Sequence, residues 1–221
     1  MKILIVAATE LEISPFLNFL QESGNKKSFF EYELNGHSIF PLTTGIGSTK
    51  TAFALATYPS IKNIDLAINI GLAGSYNRDL KLGGVFEVTK DKMIDLGAED
   101  PEGKIISMYD LQLEDANVFP FTNGWLINDK SKFVSNLPQV TSNSVNTVSG
   151  CATTIEKRSG TADLETMEGF GFAYACKCLD IQYLQIRGLS NFVEPRNKAN
   201  WAIHEAVENS NKTLLNMINS F

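Results

Sequence analysis

Apolar residues fill almost every position from Ile3 to Ala8 and then recur at Leu11, Ile13, Phe16, Leu17 and Leu20. The first pattern is that of a strand covered on both faces, and the second puts its apolar residues on one side of a helix. The same alternation continues along the chain. Residues 38–44 read as a strand, Gly45-Ile46-Gly47 breaks it, and residues 48–58 have helical character. Residues 64–70 form a third buried apolar run, closed by Gly71-Leu72-Ala73-Gly74. Strand-like runs return at residues 84–89, 146–149 and 182–187. Helical spacing occupies residues 168–179 and 201–218, the latter with Ile203, Val207, Leu214 and Ile218 on one face. Strands that alternate with helices predict an α/β fold with a mostly parallel sheet covered by helices. Between residues 100 and 133 neither period dominates.

The chain has 221 residues, of which 43% are hydrophobic, enough for one sizeable core, and residues 1–221 read as a single domain. The formal net charge of -6 repels phosphate backbones and anionic lipid, so neither nucleic acid nor a membrane surface is an expected partner. The apolar run after Lys2 meets Glu10 and Glu12 too soon for a signal peptide, and no stretch approaches the roughly 20 apolar residues of a membrane span; the expected compartment is the cytoplasm. Cys151, Cys176 and Cys178 cannot all pair and read as reduced thiols, and with His37 and His204 as the two histidines no metal site is expected. Gly45-Ile46-Gly47-Ser48-Thr49-Lys50 fails both nucleotide fingerprints. Thr49 stands where a P-loop needs glycine before its lysine, and Lys50 stands where the third glycine of a dinucleotide loop would fall. No cofactor is expected.

Three segments follow buried strands and carry polar residues that a simple turn does not need: Thr9-Glu10-Leu11-Glu12, Glu165-Thr166-Met167-Glu168 and Arg187-Gly188-Leu189-Ser190-Asn191. Each has a plain structural reading. Thr9 and Glu12 have the spacing of a capping box. Pro15 argues against a helix that starts at Thr9, because a proline inside a helix costs about 3 kcal/mol; a helix that starts at Ser14 leaves Glu12 in a loop. Glu168 suits the positive end of a helix dipole, Asn191 suits a turn, and Arg187 reads as structural, tied to a carboxylate at the sheet edge.

Met167-Glu168 and the run Ile186-Arg187-Gly188-Leu189-Ser190-Asn191-Phe192-Val193-Glu194-Pro195-Arg196, followed by Trp201, are the most specific pieces of a wider likeness. With Gly45-Ile46-Gly47 and Asn69-Ile70-Gly71-Leu72-Ala73-Gly74 they make the chain resemble the nucleoside phosphorylase and nucleosidase superfamily over nearly its whole length. Within it the chain is most similar to the futalosine hydrolases, nucleosidases of menaquinone biosynthesis. The resemblance implies a three-layer α/β/α sandwich around a mostly parallel mixed sheet. It also implies a homodimer or higher homo-oligomer, a small nucleoside as substrate, and hydrolysis of futalosine to hypoxanthine and dehypoxanthine futalosine.

In that pattern Glu12 is the general base that positions water, Glu168 accepts from the ribose hydroxyls, and Met167 packs on the sugar. Gly47 and Gly71 let backbone approach the substrate, while Thr153, Thr154 and Phe192 line the base. Asn191 takes the place where nucleosidases acting on 6-aminopurines carry an aspartate. An amide cannot protonate N7, but it can accept from N7–H and donate to O6, which favours a 6-oxopurine. Leu72 departs from the small hydroxyl residue of the adenosyl nucleosidases. Arg196, or a residue from a second subunit, is the candidate partner of a carboxylate on the 5′ substituent. The absence of arginine near the first glycine loops favours water over phosphate as nucleophile, although Lys50 keeps phosphorolysis open. Cleavage of inosine, methylthioadenosine or S-adenosylhomocysteine and a non-catalytic nucleoside-binding module are the alternatives.

Overall fold

The computed structural model describes residues 1–23, 25–28, 30–129 and 131–221. In chain order the elements are β1 (Lys2–Ala7), α1 (Glu10–Ser23), β2 (Asn25–Lys26), β3 (Tyr32–Leu34), β4 (His37–Thr43), α2 (Ser48–Ala56), β5 (Leu66–Ser75) and β6 (Val85–Met93). They continue with β7 (Gly97–Glu99), β8 (Ile105–Ser107), β9 (Leu126–Ile127), β10 (Gln139–Ser144), α3 (Ala152–Arg158), β11 (Leu164–Thr166), α4 (Gly169–Cys178), β12 (Tyr183–Phe192) and α5 (Ile203–Ser220). One mixed sheet runs in the order β11-β10-β6-β12-β5-β1-β4-β3-β2, with β9 added beside β6. Strand β1 is parallel to both β4 and β5, β12 is parallel to β5, and β6 is antiparallel to β12. The short strand β11 pairs with β10 and also, antiparallel, with β5 through Glu165 and Gly74, so that end of the sheet curls closed.

The period-2 alternation of β1 divides the core into the expected layers. Ile3, Ile5 and Ala7 face Ile13, Phe16 and Leu20 of α1 and Leu214, Met217 and Ile218 of α5. Leu4 and Val6 face the other side, with Leu55 of α2 and Phe172, Ala173 and Cys176 of α4. Helix α4 sits close on α2: a Cβ on Gly171 would lie 2.1 Å from the Ser48 carbonyl oxygen, so only glycine permits the approach that brings the start of α4 beside the start of α2. No helix among the described residues is long and apolar enough to cross a membrane.

The structure corrects two expectations. No strand forms at residues 146–149; the strand lies earlier, at β10, whose Ser142, Asn143 and Ser144 are buried yet polar. Hydrogen bonds make them tolerable there: the hydroxyls of Ser142 and Ser144 each lie 3.2 Å from that of Thr166, and Ser144 donates to Asp91 at 2.8 Å. Helix α1 begins at Glu10 rather than Ser14, with Pro15 in its second turn. The proline removes the bond that the Leu11 carbonyl would accept, but Leu11 is at the surface and the Ser14 hydroxyl reaches that carbonyl at 3.5 Å.

Asp91 is fully enclosed between β10, β12 and α4, accepting from Ser144 and, at 2.8 Å, from Gln185 Nε2. Burial pushes its carboxyl up to about 7, against the opposing effects of the Gln185 and Ser144 hydrogen bonds and the Arg187 charge. In the unfolded chain the group ionises near 3.8. Below that pH both states are protonated and no stability is lost; between 3.8 and about 7 the unfolded chain gives up its proton while the folded one keeps it, so stability falls as pH rises and levels off above. Asp91→Asn cannot ionise, and Gln185 Oε1, which has no partner among the described residues, can turn to accept from the new amide. The unfolding free energy of Asp91→Asn relative to the parent is expected to climb between pH 4 and 7 and level off above, by an amount on the order of a few kcal/mol, with the melting temperature following it. Scanning calorimetry across that range checks the slope, and a flat difference would contradict it.

Candidate active site

Glu12 lies in the first turn of α1, where its capping-box bonds to Thr9 and its position at the cleft coexist. Its Oε2 accepts from the Thr9 backbone N–H at 2.9 Å and the Thr9 hydroxyl at 3.0 Å, while Oε1 accepts from the Leu72 N–H at 3.1 Å. Three donors hold one carboxylate, and a carboxylate has about four lone-pair positions, so one stays open to a molecule in the cleft. Gly71 creates the space for it, since a Cβ there would stand 2.9 Å from Glu12 Oε1. The glycine accommodates the carboxylate directly rather than the approach of a ligand to backbone.

Glu168 occupies the residue before α4 but makes no capping bond to that helix. Its side chain crosses to α2 and accepts from the Gly47 N–H at 2.9 Å. Gly47 has φ of 101°, a conformation open to glycine, and this turns its N–H toward Glu168. The Ser48 hydroxyl donates to the Met167 carbonyl at 2.9 Å and fixes the same junction. Burial raises the Glu168 carboxyl above its ordinary value, as does the nearby Glu12 charge, while the Gly47 bond and the Arg187 charge oppose the rise.

Asn191 stands on the far side, at the end of β12. Its Nδ2 donates to the Phe192 carbonyl at 2.9 Å, and its Oδ1 accepts from the Ser190 hydroxyl at 2.8 Å. One amide N–H and one carbonyl lone pair remain unused. Glu12, Met167, Glu168, Asn191 and Trp201 together line a cleft of about 340 Å³ at the carboxyl ends of β1, β5 and β12.

Several sequence-level assignments move. Thr153 and Thr154 lie on α3 and line a separate cavity with Lys157 and Arg158. Their hydroxyls approach Cys151 Sγ at 3.4 and 3.2 Å. The Phe192 ring lies under the Arg78 guanidinium at 4.5 Å and does not face the cleft. Arg196 packs over Trp201 at 5.3 Å, at the Asn191 end, which separates it from the mouth near Glu12. Arg187 is not at the sheet edge. It is buried in β12 between β5 and β6, bonded to Asn69 through Oδ1 and, at 3.3 Å, the backbone carbonyl, with no carboxylate partner within hydrogen-bond reach among the described residues.

Residues that sequence reasoning left unassigned also enter the cleft: Val148, Glu165 and Trp201. The available signal for Glu165 was a carboxylate set between apolar positions in Ala162-Asp163-Leu164-Glu165-Thr166-Met167.

A three-layer α/β/α fold with a carboxylate-lined cleft at the strand ends defines the class of the nucleoside phosphorylases and nucleosidases, and residues 2–109 match the phosphorylase superfamily. The chain is 32% identical to futalosine hydrolase from Thermus thermophilus, over 92% of this chain and 89% of that protein. It belongs to the futalosine hydrolase family of that superfamily. Among solved structures, the 5′-methylthioadenosine/S-adenosylhomocysteine nucleosidase of Neisseria meningitidis with methylthio-immucillin-A superimposes with a TM-score of 0.78 at 20% identity, covering 100% of this chain and 99% of that one. Futalosine hydrolase of Helicobacter pylori gives 0.75 at 17% identity, covering 100% and 98%.

Gly71→Ala tests the placement of Glu12. The new methyl displaces the flexible end of a side chain rather than backbone, so the fold should persist while the carboxylate moves. Loss of turnover on the order of 100-fold with little change in melting temperature is expected, by steady-state kinetics and calorimetry in parallel. Full activity in Gly71→Ala would contradict the placement.

Proposed function

We propose that the protein hydrolyses the N-glycosidic bond of futalosine, releasing hypoxanthine and dehypoxanthine futalosine. The observation that carries the proposal is the Glu12 carboxylate, held by three donors with one lone-pair position open to the cleft, in a chain 32% identical to a futalosine hydrolase. In the reaction Glu12 orients a water on C1′ and takes its proton as the C–O bond forms and the C1′–N9 bond breaks. Glu168 accepts from the ribose hydroxyls, and Met167 packs against the sugar. Asn191 donates its unused N–H to O6 of the departing base, and its carbonyl lone pair accepts from N7–H once solvent water has protonated N7.

The open site near the first glycine loops supports water as nucleophile. Lys50, the nearest cation of that loop, has its chain folded against Gly45. We further propose a homo-oligomer, supported by the exposure of Leu11 and Ile46, which line the cleft, and of Phe53 on α2, and a cytoplasmic, menaquinone-pathway enzyme with its three cysteines unpaired.

Chromatography of the products from futalosine, inosine and methylthioadenosine, with and without phosphate, tests the assignment. Hypoxanthine from futalosine without phosphate is expected, and Glu12→Gln should lower the rate by about 100- to 10,000-fold. Adenine as the main product, or strict need for phosphate, would overturn it.

The ionised form of Glu168 is the stronger acceptor for the ribose hydroxyls. Because burial raises that carboxyl, kcat/KM should fall with acidification at a pH above the ordinary carboxylate range. A pH–rate profile flat down to pH 4.5 would contradict this role.

A further inference from the structure

At the Asn191 end the cleft continues into a small cavity lined by Gly74, Ser149, Glu165 and Trp201. Glu165 is 5% exposed, and four donors converge on it. Oε1 accepts from the Ser149 N–H at 2.8 Å. Oε2 accepts from the Ser149 hydroxyl at 2.6 Å, the Tyr76 hydroxyl at 2.5 Å and Arg158 Nη1 at 3.4 Å.

The consequence falls on Ser149. A hydroxyl has one proton, and this one is committed to Glu165. Arg158 Nη1 donates to the same oxygen at 3.2 Å, which leaves Ser149 a single lone pair. The Tyr76 proton is likewise held by Glu165, and its oxygen stands 3.5 Å from Ser149 Oγ with no proton left to give. Toward the cavity this wall therefore offers acceptors: the remaining lone pair of Ser149 Oγ and that of Glu165 Oε1.

The two classes of purine differ at the atom beside C6. A 6-oxopurine has an N1–H donor next to O6, and a 6-aminopurine has a bare N1 acceptor there. We infer that Glu165 is a specificity-determining positioning residue, which holds the Ser149 proton and so makes the base wall accept N1–H and reject a bare N1. The inference rests on the purine nucleosidase reading above. It adds a second point of discrimination to Asn191, on a different element and by a different group.

Glu165→Leu removes the acceptor on which the Ser149 hydroxyl now donates, which releases the serine proton toward the cavity. The ratio of hypoxanthine to adenine affinity, measured by titration calorimetry, should then fall by about 10- to 100-fold. Ser149→Ala, which leaves Glu165 intact, should weaken hypoxanthine by about tenfold and leave adenine nearly unchanged. KM and kcat for inosine and adenosine give the same ratio by an independent route. A purely structural clamp on residues 145–151 would instead weaken both bases together. Equal losses for the two bases in both variants, or an unchanged ratio in both, would overturn the inference while base release by the parent enzyme still stood. A parent protein that neither binds nor releases a purine would overturn the nucleosidase reading and this inference with it.

Discussion

The guanidinium of Arg187 is 1% exposed at the centre of the sheet, and a charge so placed must be compensated by what surrounds it. Its hydrogen bonds go to Asn69 and to the Ile186 carbonyl, all neutral groups, and Nε has no partner among the described residues. Burial lowers its affinity for a proton, and the charges of Glu168, Glu12 and Asp91 counter that effect, in that order. The dependence runs both ways. Glu12 and Glu168 face one cleft and repel each other, so a carboxylate pair in that position needs a cation behind it and backbone N–H groups in front. Thr9, Leu72 and Gly47 supply those N–H groups. The strand ends can thus hold two carboxylates at one cleft because a buried arginine stands behind both.

One side of the cleft is fixed by strand pairing. Strands β5 and β12 each run for ten residues, beyond the positions where glycine suggested they would stop. Their pairing continues through Arg187↔Gly71 and Asn191↔Gly74, with a register shift between Leu189 and Asn191. A bulge of this kind re-aims a side chain at the end of a ladder, and here it falls immediately before Asn191, which lines the cleft. Side chains fixed by paired backbone hold their positions better than those on free loops.

What could be read from the sequence follows from the physics of each element. The apolar strands β1, β5 and β12 and the amphipathic faces of α1 and α5 carry their burial in their composition, so they were legible, as was the succession of strand and helix. Strand β10 was not. Its Ser142 and Ser144 bond to Asp91 and Thr166 and its Asn143 donates to Thr161, all distant in sequence, and a linear pattern carries no record of those partners. The start of helix α1 was misplaced because the cost of Pro15 was set above the Thr9–Glu12 capping box, whereas in the structure the orphaned Leu11 carbonyl lies at the surface within reach of the Ser14 hydroxyl. For the site, Glu12, Met167, Glu168 and Asn191 converge as the family pattern implied. Thr153, Thr154 and Phe192 do not, because residue spacing alone cannot tell which face of a short helix or strand end meets the cleft. Arg196 was assigned on its charge, and its stacking on Trp201 turns it to the other end.

The choice of amide at Asn191 has a cause within the chain as well as in the substrate. The Phe192 carbonyl needs a donor at 2.9 Å, and Asn191 Nδ2 supplies it. An ionised aspartate in the same place would set an oxygen against that carbonyl with no proton between them, at a cost comparable to an unpaired buried acceptor, about 1–3 kcal/mol. A protonated aspartic acid would restore the bond, and the carbonyl would then favour the acid form. One backbone oxygen is therefore compatible with two chemistries: an amide whose remaining N–H and lone pair face the base, or a carboxyl kept protonated until a base nitrogen takes the proton. In the proposed reaction asparagine closes the proton-donating route, and the leaving base is stabilised instead by the remaining Asn191 N–H on O6. That is a demand a 6-oxopurine, which leaves with charge on O6, can meet better than a 6-aminopurine.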